Sequence, residues 1–384
     1  MIHTNITLIL TLSLLIWSSP FVAKMLRIPI PPVEIILGSI FVYMGLIQHN
    51  EYFDLIAEVG FLYLMFLAGM EVDLKRITRS SSEVIRKSIL FLALMIFFSI
   101  GSGILFHFNT ITIICMPLIS IGLLASLSKT YGKEQPWIQL AFIAGILGEV
   151  ISIAGLTVFD AASKTGFGIE LVIKIGYLIL FIASVYLVYR LLHLLFWWFP
   201  ELKNKLVPKF DVSDQDIRLS MALFFIMIAV MLSLELELAL GAFIAGIAIA
   251  AFFHHEKRLE EKMSSLGFGF LVPLFFIHVG ASFDLKSLMM EGVVLGALLI
   301  TFLMIISRIL AAIVLKGISG SRDALLIALS LSMPLTLLVA VATIGYETNM
   351  LTLVSYYQLI LASIFEILIS MVIIKVLEAR RKEV

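Results

Sequence analysis

Apolar runs of roughly twenty residues, the length an α-helix needs to cross the hydrocarbon of a bilayer, fill this chain from end to end. They fall at Thr4–Val22, Pro32–Ile47, Phe53–Met70, Ile89–Phe106, Thr110–Ser128, Trp137–Phe159, Ile169–Phe199, Ile217–Leu234, Leu238–Phe253, Leu266–Ser282, Gly292–Leu315, Ala324–Gly345 and Ser355–Leu377. The longest polar stretch, from about Glu201 to Ile217, is too short for a soluble domain. With 61% hydrophobic and 14% charged residues, the class is an all-α integral membrane protein whose solvating partner is the lipid bilayer. The net charge of zero makes no case for nucleic acid. The lone Cys115 excludes an intramolecular disulfide. The first run lacks a basic leader and a small-residue cleavage site, so it reads as a retained span and not a signal peptide.

The loops test this partition. Cytoplasmic loops of membrane proteins carry an excess of Lys and Arg. With the N-terminus outside, thirteen spans put the basic residues on one side. These are Lys24 and Arg27; Lys75, Arg76, Arg79, Arg86 and Lys87; Lys129 and Lys133; Lys203, Lys205, Lys209 and Arg218; Lys257, Arg258 and Lys262; Lys316 and Arg322; and Lys375, Arg380, Arg381 and Lys382. Only Lys164, Lys174 and Lys286 fall outside, where Glu51, Asp54, Asp160, Glu235, Glu237, Asp284 and Glu347 gather. The expectation is thirteen transmembrane helices, N-out and C-in.

Proline interrupts the fifth run at Pro117 and the twelfth at Pro334. The two are seven spans apart, an odd shift that inverts a helix across the membrane. Spans four to six and eleven to thirteen therefore read as inverted repeats, with the long seventh span between them. Paired interrupted segments are the best sequence pointer to a transporter's binding site, although a single proline can be a plain kink. The sixth run holds Glu149 about twelve residues in, within Ala144–Gly155. A charge at that depth costs roughly 2.5–3.5 kcal/mol on insertion scales. Glu149 is thus either a site that alternates between a proton and a cation or a neutralised packing residue. Ser120, three residues after Pro117, and Thr336, two after Pro334, bring hydroxyls beside freed carbonyls. Such hard oxygens suit a partly dehydrated alkali cation.

Arg308 in the eleventh run keeps its charge and cannot carry the proton. Three readings stay open for it: a structural ion pair with Glu366 of the thirteenth run, snorkelling to the cytoplasmic surface, or direct contact with substrate. His278 reads as packed or surface-facing. Glu235 and Glu237 read as solvated loop carboxylates, with an outer cation funnel as the alternative, and Glu34 and Glu58 as interfacial. Gly241 and Gly246 read as close helix packing. No P-loop, dinucleotide fingerprint, catalytic triad or metal cluster is present in the sequence, so neither an enzyme nor a bound cofactor is expected.

Four segments resemble the monovalent cation/proton antiporters of the Kef and bacterial sodium/proton-exchanger branch. LEEKMSSLGFGFLVPLFFIHVGASFDLKSL at Leu259–Leu288 is similar to that branch's tenth span, and LGAFIAGIAIA at Leu240–Ala250 to its ninth. IPPVEIILGSIFVYMGL and EVGFLYLMFLAGMEVDL are similar to its second and third. The resemblance covers nearly the whole chain as a membrane domain, without the nucleotide-binding domain of the Kef potassium systems. It implies a sodium/proton antiporter fold with two crossed broken helices, a scaffold that forms a homodimer, and elevator-like alternating access. Residues 1–79 and 216–288 then correspond to scaffold halves, 80–165 and 289–384 to core transport bundles, and 166–215 to a long linker helix.

By the same resemblance, Glu149 falls where the family has its cation- and proton-binding aspartate, which makes it the ligand for a monovalent cation. Arg308 takes the basic position of the eleventh span, and Ser120 falls near the broken-helix threonine. Two departures stand out. Gly148 occupies the position of an Asn, Asp or Gln, and Met333-Pro334-Leu335-Thr336 replaces an acidic-glycine motif. The function expected is exchange of Na⁺ or K⁺ for H⁺ at the plasma membrane, serving pH homeostasis. With one titrating carboxylate, the exchange expected is electroneutral and one for one; a second titrating carboxylate, Glu366, would make it electrogenic. The alternatives are a sodium-coupled symporter of a small organic anion and a transport-inactive membrane sensor or scaffold.

Overall fold

The structure, a computed structural model, describes residues 2–26, 28–48, 50–72, 80–166, 168–198, 214–252, 257–283 and 285–379. Several residues that orient the chain fall outside these: Arg27, Lys75, Arg76, Arg79, Lys203, Lys205, Lys209, Asp284, Arg380, Arg381 and Lys382. The side chains of Lys129, Asp160, Lys164, Thr336 and Glu347 also lie outside the described residues. Sixteen α-helices and no strand occur among the described residues. In chain order they are α1 Ile2–Leu26, α2 Ile30–Tyr43, α3 Glu51–Met70, α4 Ser82–Leu105, α5 Thr110–Cys115, α6 Gly122–Tyr131, α7 Pro136–Thr165 and α8 Ile169–Trp198. Then come α9 Gln215–Ser233, α10 Leu238–Phe252, α11 Lys257–Leu266, α12 Val272–Ala281, α13 Val293–Ala311, α14 Lys316–Ser330, α15 Leu335–Glu347 and α16 Leu353–Ala379.

Every apolar run of the sequence coincides with one of these helices or with an interrupted pair. Nine helices of the described residues are long and apolar enough to cross a membrane, and three shorter ones are apolar. Their ends follow local chemistry. Pro31 and Pro32 open α2, where a missing N–H costs nothing. Ser81 caps α4 by accepting the Val84 N–H at 3.3 Å, and Asn109 caps α5 by accepting the Thr112 N–H at 2.8 Å. The structure extends several runs, α11 the furthest: it begins at Lys257, nine residues before the expected Leu266. Its first turns are polar, yet they bury Leu259 and Met263, so helix outlasts the apolar pattern. A π-helical turn, Gly267–Leu271, joins α11 to α12. Pro273 in the first turn of α12 has no N–H to offer the turn before it.

The chain divides into two compact units. The first comprises Met1–Phe61, Leu74–Ile153 and Phe270–Val384. Within it α2 and α12 approach at backbone distance: a Cβ on Gly38 would lie 2.3 Å from the Ile277 carbonyl oxygen, and one on Gly280 2.0 Å from that of Ile35. Ser39 Oγ donates to the Gly280 carbonyl at 2.8 Å across the same contact. The second unit comprises Leu62–Asp73 and Ala154–Gly269. There a Cβ on Gly246 would lie 2.0 Å from the Phe66 carbonyl oxygen, so only hydrogen fits between α3 and α10. The 30-residue α8 leaves Ile169, Val172, Leu180, Leu187 and Trp197 exposed. Such a face needs lipid around it.

Candidate functional site

The fifth run folds as two helices, α5 and α6, with the six residues Met116–Ile121 between them. A break inside hydrocarbon frees backbone groups that must find partners elsewhere. Here they come from other helices of the first unit. Ile121 N–H donates to Glu149 Oε2 at 3.3 Å, and Ser120 Oγ donates to Glu149 Oε1 at 3.4 Å. Ile119 N–H donates to Ser152 Oγ at 2.9 Å. On the other side, the Leu118 carbonyl accepts Arg308 Nη2–H at 2.7 Å.

The charges sit where the half-helix dipoles require them. The N-terminus of α6 points N–H groups, with their positive end, at a carboxyl. The carbonyl side of the break meets a guanidinium, which is the favourable arrangement at both ends. Glu149 and Arg308 are each fully buried. Both bonds to Glu149 are long for charge-assisted contacts, which run near 2.7–2.9 Å.

Arg308 has its own carboxylate. Its Nη1 lies 2.8 Å from Glu366 Oε1 and 3.2 Å from the Met304 carbonyl oxygen, and Glu366 is also fully buried. Arg308 therefore does not snorkel to a surface. Among the described residues no salt bridge joins Glu149 to a cation, and no cluster of three or more His, Cys, Asp or Glu could hold a metal ion.

The second break, between α14 and α15, spans Leu331–Pro334. Ser332 Oγ turns back to the Ala328 carbonyl at 3.0 Å and Ser330 Oγ to that of Ile327 at 2.9 Å. Thr336 lies in the first turn of α15, and its side chain falls outside the described residues. Gly145 brings the two breaks together: a Cβ there would lie 2.7 Å from Ile121 Cγ2 and 2.9 Å from Leu331 Cδ2. Gly145 is one turn before Glu149 on α7, so both interruptions pack on the helix that carries the carboxyl.

Gly148 is explained by its neighbours. A Cβ at this position would lie 2.6 Å from Ile119 Cδ1 and 3.0 Å from Leu92 Cδ2. Apolar side chains fill the space that an Asn or Asp would take.

Sequence reasoning missed two residues. Ser152, one turn past Glu149, gives no signal of its own, because its partner is a backbone N–H in another helix. Glu34 is corrected: it is not interfacial but 2% exposed, accepting Ser19 Oγ–H at 3.0 Å. Position near a helix end misled, because α1 covers that end. His278 is half-buried, with Nε2 2.9 Å from Asp54 Oδ1 and Phe53 edge-on to its ring. Glu235 accepts Lys174 Nζ at 2.8 Å, and Glu58 is exposed.

Two broken helices meeting on a carboxyl-bearing helix, inside an all-helical membrane protein, define a transport-type architecture. The chain belongs to the sodium/hydrogen exchanger family, whose transmembrane profile matches residues 9–378. It is 24% identical over its whole length to a putative Na⁺/H⁺ antiporter, YjbQ, of Bacillus subtilis (strain 168), covering 65% of that protein. It is 29% identical over 71% of its length to the high-affinity Na⁺/H⁺ antiporter NhaS3 of Synechocystis, covering 58% of it. The chain thus spans about three-fifths of these two relatives. Among solved structures, the sodium proton antiporter MjNhaP1 of Methanocaldococcus jannaschii superposes with a TM-score of 0.68 at 17% identity, over 97% of this chain and 98% of that one. At that identity the likeness establishes the fold.

Proposed function

We propose that this protein is a secondary active antiporter that exchanges a monovalent cation, Na⁺ or K⁺, for H⁺, with Glu149 as the shared site. The observation that carries the reading is a fully buried carboxyl at a helix break, which among the described residues accepts from Ser120 Oγ and the Ile121 N–H. A carboxyl there is neutral when protonated and neutral again when it holds one alkali cation. The bare anion between those states is the costly form. Glu149 therefore holds one or the other, and that competition couples their opposed movements. Ser120 and, from the second break, Thr336 supply further hard oxygens. The Arg308–Glu366 pair stays closed on itself and braces the first break, so its charge does not cancel that of Glu149.

One carboxyl exchanging one proton for one cation makes the cycle electroneutral. The moving parts are residues 80–165 and 289–384, which carry both breaks. Residues 1–79 and 216–288 form a scaffold that pairs with a second copy in the plasma membrane, and 166–215 link the two. The chain crosses thirteen times, N-out and C-in, and alternating access is of the elevator type. The relatives' names, which speak of Na⁺/H⁺ antiport, support the same reading.

The experiment is cation-driven pH change in proteoliposomes, read by a pH-sensitive dye. Wild type responds to Na⁺ or K⁺, and Glu149→Gln does not. A Glu149→Gln protein that still exchanges refutes the site. A rate that follows an imposed potassium-diffusion potential refutes the electroneutral stoichiometry.

A further inference from the structure

Glu34 is a further buried carboxyl, and the exchange chemistry above makes no use of it. It lies on α2, and its Oε1 is 3.0 Å from Ser19 Oγ on α1. Ser19 Oγ is also 3.4 Å from the Ile16 carbonyl oxygen. That carbonyl is four residues before Pro20, which lies inside α1 and has no N–H to give it. A carboxyl, a hydroxyl and a carbonyl deprived of its helical donor therefore meet in one place. Around them on the two helices, Leu15, Ala23, Val33 and Ile35 are buried.

Counting donors decides the form of the acid. Ionised, Glu34 is acceptor only. The single Ser19 proton must then serve either the carboxylate or the Ile16 carbonyl, and the other goes without. Protonated, Glu34 can donate to Ser19 Oγ, and Ser19 is released to donate to the Ile16 carbonyl. The neutral acid completes the chain of bonds; the anion breaks it.

Among the described residues, the surroundings offer the anion no counter-charge. A helix N-terminus usually solvates negative charge through its free N–H groups, but Pro31 and Pro32 remove two of them from α2. The elements packed on α2 include α1, α12, α16 and the 3₁₀ turn Leu285–Met289. Their charged groups are engaged or distant: Lys24 of α1 is exposed, and His278 of α12 pairs with Asp54. Glu366 of α16 pairs with Arg308, while Lys375 and Glu378 lie in the last turns of that helix, and Lys286 lines a cavity beside Tyr43 at the other end of α2. No salt bridge reaches Glu34 among the described residues. Glu149, by contrast, receives two donors from its break.

We propose that Glu34 is a proton-binding site separate from Glu149, occupied as the neutral acid and tying α1 to α2 through Ser19. Its ligand is H⁺ and not a metal cation, because carboxyl, hydroxyl and one carbonyl fall short of the six or so oxygens that hard cations take. When the proton leaves, a charge with one donor is stranded between two helices, and their packing loosens.

The test is infrared difference spectroscopy of the full chain in lipid nanodiscs, following the C=O stretch of protonated carboxyls as pH is raised. Wild type minus Glu34→Gln should show a protonated-carboxyl band near neutral pH. That band should be present in Glu149→Gln, unmoved by Na⁺ or K⁺, and lost at alkaline pH. Glu34→Gln should keep cation/proton exchange, because its amide N–H can make the same bond to Ser19 Oγ and leave Ser19 to donate to the Ile16 carbonyl. Carboxylate bands alone at neutral pH would overturn the proposal, and so would a band that disappears when Na⁺ or K⁺ is added. Should Glu34→Gln fail to fold, Ser19→Ala decides. Loss of the hydroxyl must shift the band to higher frequency, and an unshifted band refutes the link.

Discussion

Breaking the Arg308–Glu366 pair should cost unequal amounts depending on which partner is removed. Both side chains are fully buried, and the pair closes at 2.8 Å. Removing one member of a buried pair costs about 3–5 kcal/mol, a large part of the roughly 5–15 kcal/mol that holds a protein folded. Glu366→Gln keeps the shape but leaves a guanidinium that cannot shed its charge. It retains the Met304 and Leu118 carbonyls and a neutral amide oxygen in place of the carboxylate, and its Nε has no partner among the described residues. The full penalty is therefore expected.

Arg308→Met leaves a carboxyl that can neutralise itself by taking a proton. The remaining cost is the bare Leu118 carbonyl, about 1–3 kcal/mol. The double change Arg308→Met with Glu366→Leu should recover much of the loss, because well-packed apolar groups replace buried pairs at little cost. Thermal unfolding of the purified proteins, followed by loss of monodispersity, ranks the variants. Glu366→Gln within about 1 kcal/mol of wild type, the range of an exposed pair, would refute the reasoning. So would Arg308→Met proving the more damaging of the two.

Three more outcomes follow from packing and hydrogen bonds at named positions. Ser152→Ala removes the acceptor of the Ile119 N–H, worth about 1 kcal/mol; the apparent KM for the cation should rise roughly fivefold with kcat little changed, and an unchanged KM counts against a positioning role. Gly148→Asn forces a side chain onto Ile119 and Leu92 and should cost about 1–3 kcal/mol through overpacking, relieved when combined with Ile119→Ala; a stable single variant in thermal unfolding would show that the space is not filled. Gly246→Ala sets a methyl against the Phe66 carbonyl, whereas nothing lies within 4 Å of a Cβ on Gly155. The first should abolish folded yield, and Gly155→Ala should be neutral or gain up to about 1 kcal/mol; equal yields would refute the contact.

Much of the fold was legible because hydrocarbon imposes a length on every span and an internal solution on every backbone. Runs of about twenty apolar residues gave the helices, and Pro117 and Pro334 marked the two interruptions. The buried charges Glu149, Arg308 and Glu366 were conspicuous against their apolar surroundings. What satisfies the breaks was not legible. Ser152 is an ordinary serine until a backbone N–H from another helix points at it. Glu34 looked interfacial because pattern reveals depth along a helix and not which neighbour covers it. The polar start of α11 was lost for the opposite reason: apolar content marks a membrane segment, while helix continues wherever one face, here Leu259 and Met263, is buried.

The partners of the first break have a consequence for how the protein is made. The Leu118 carbonyl and the Ile119 and Ile121 N–H groups, like the Ser120 side chain, take partners that lie later in the chain. Glu149 and Ser152 follow by about thirty residues, and Arg308 by 190. At roughly 5–20 residues per second of synthesis, Arg308 emerges some 10–40 s after Leu118. Until then the Leu118 carbonyl has no guanidinium to meet, and the nascent segment is held only by α7. The break is thus assembled in two stages during translation, and a chain truncated before α13 would carry an unfinished one.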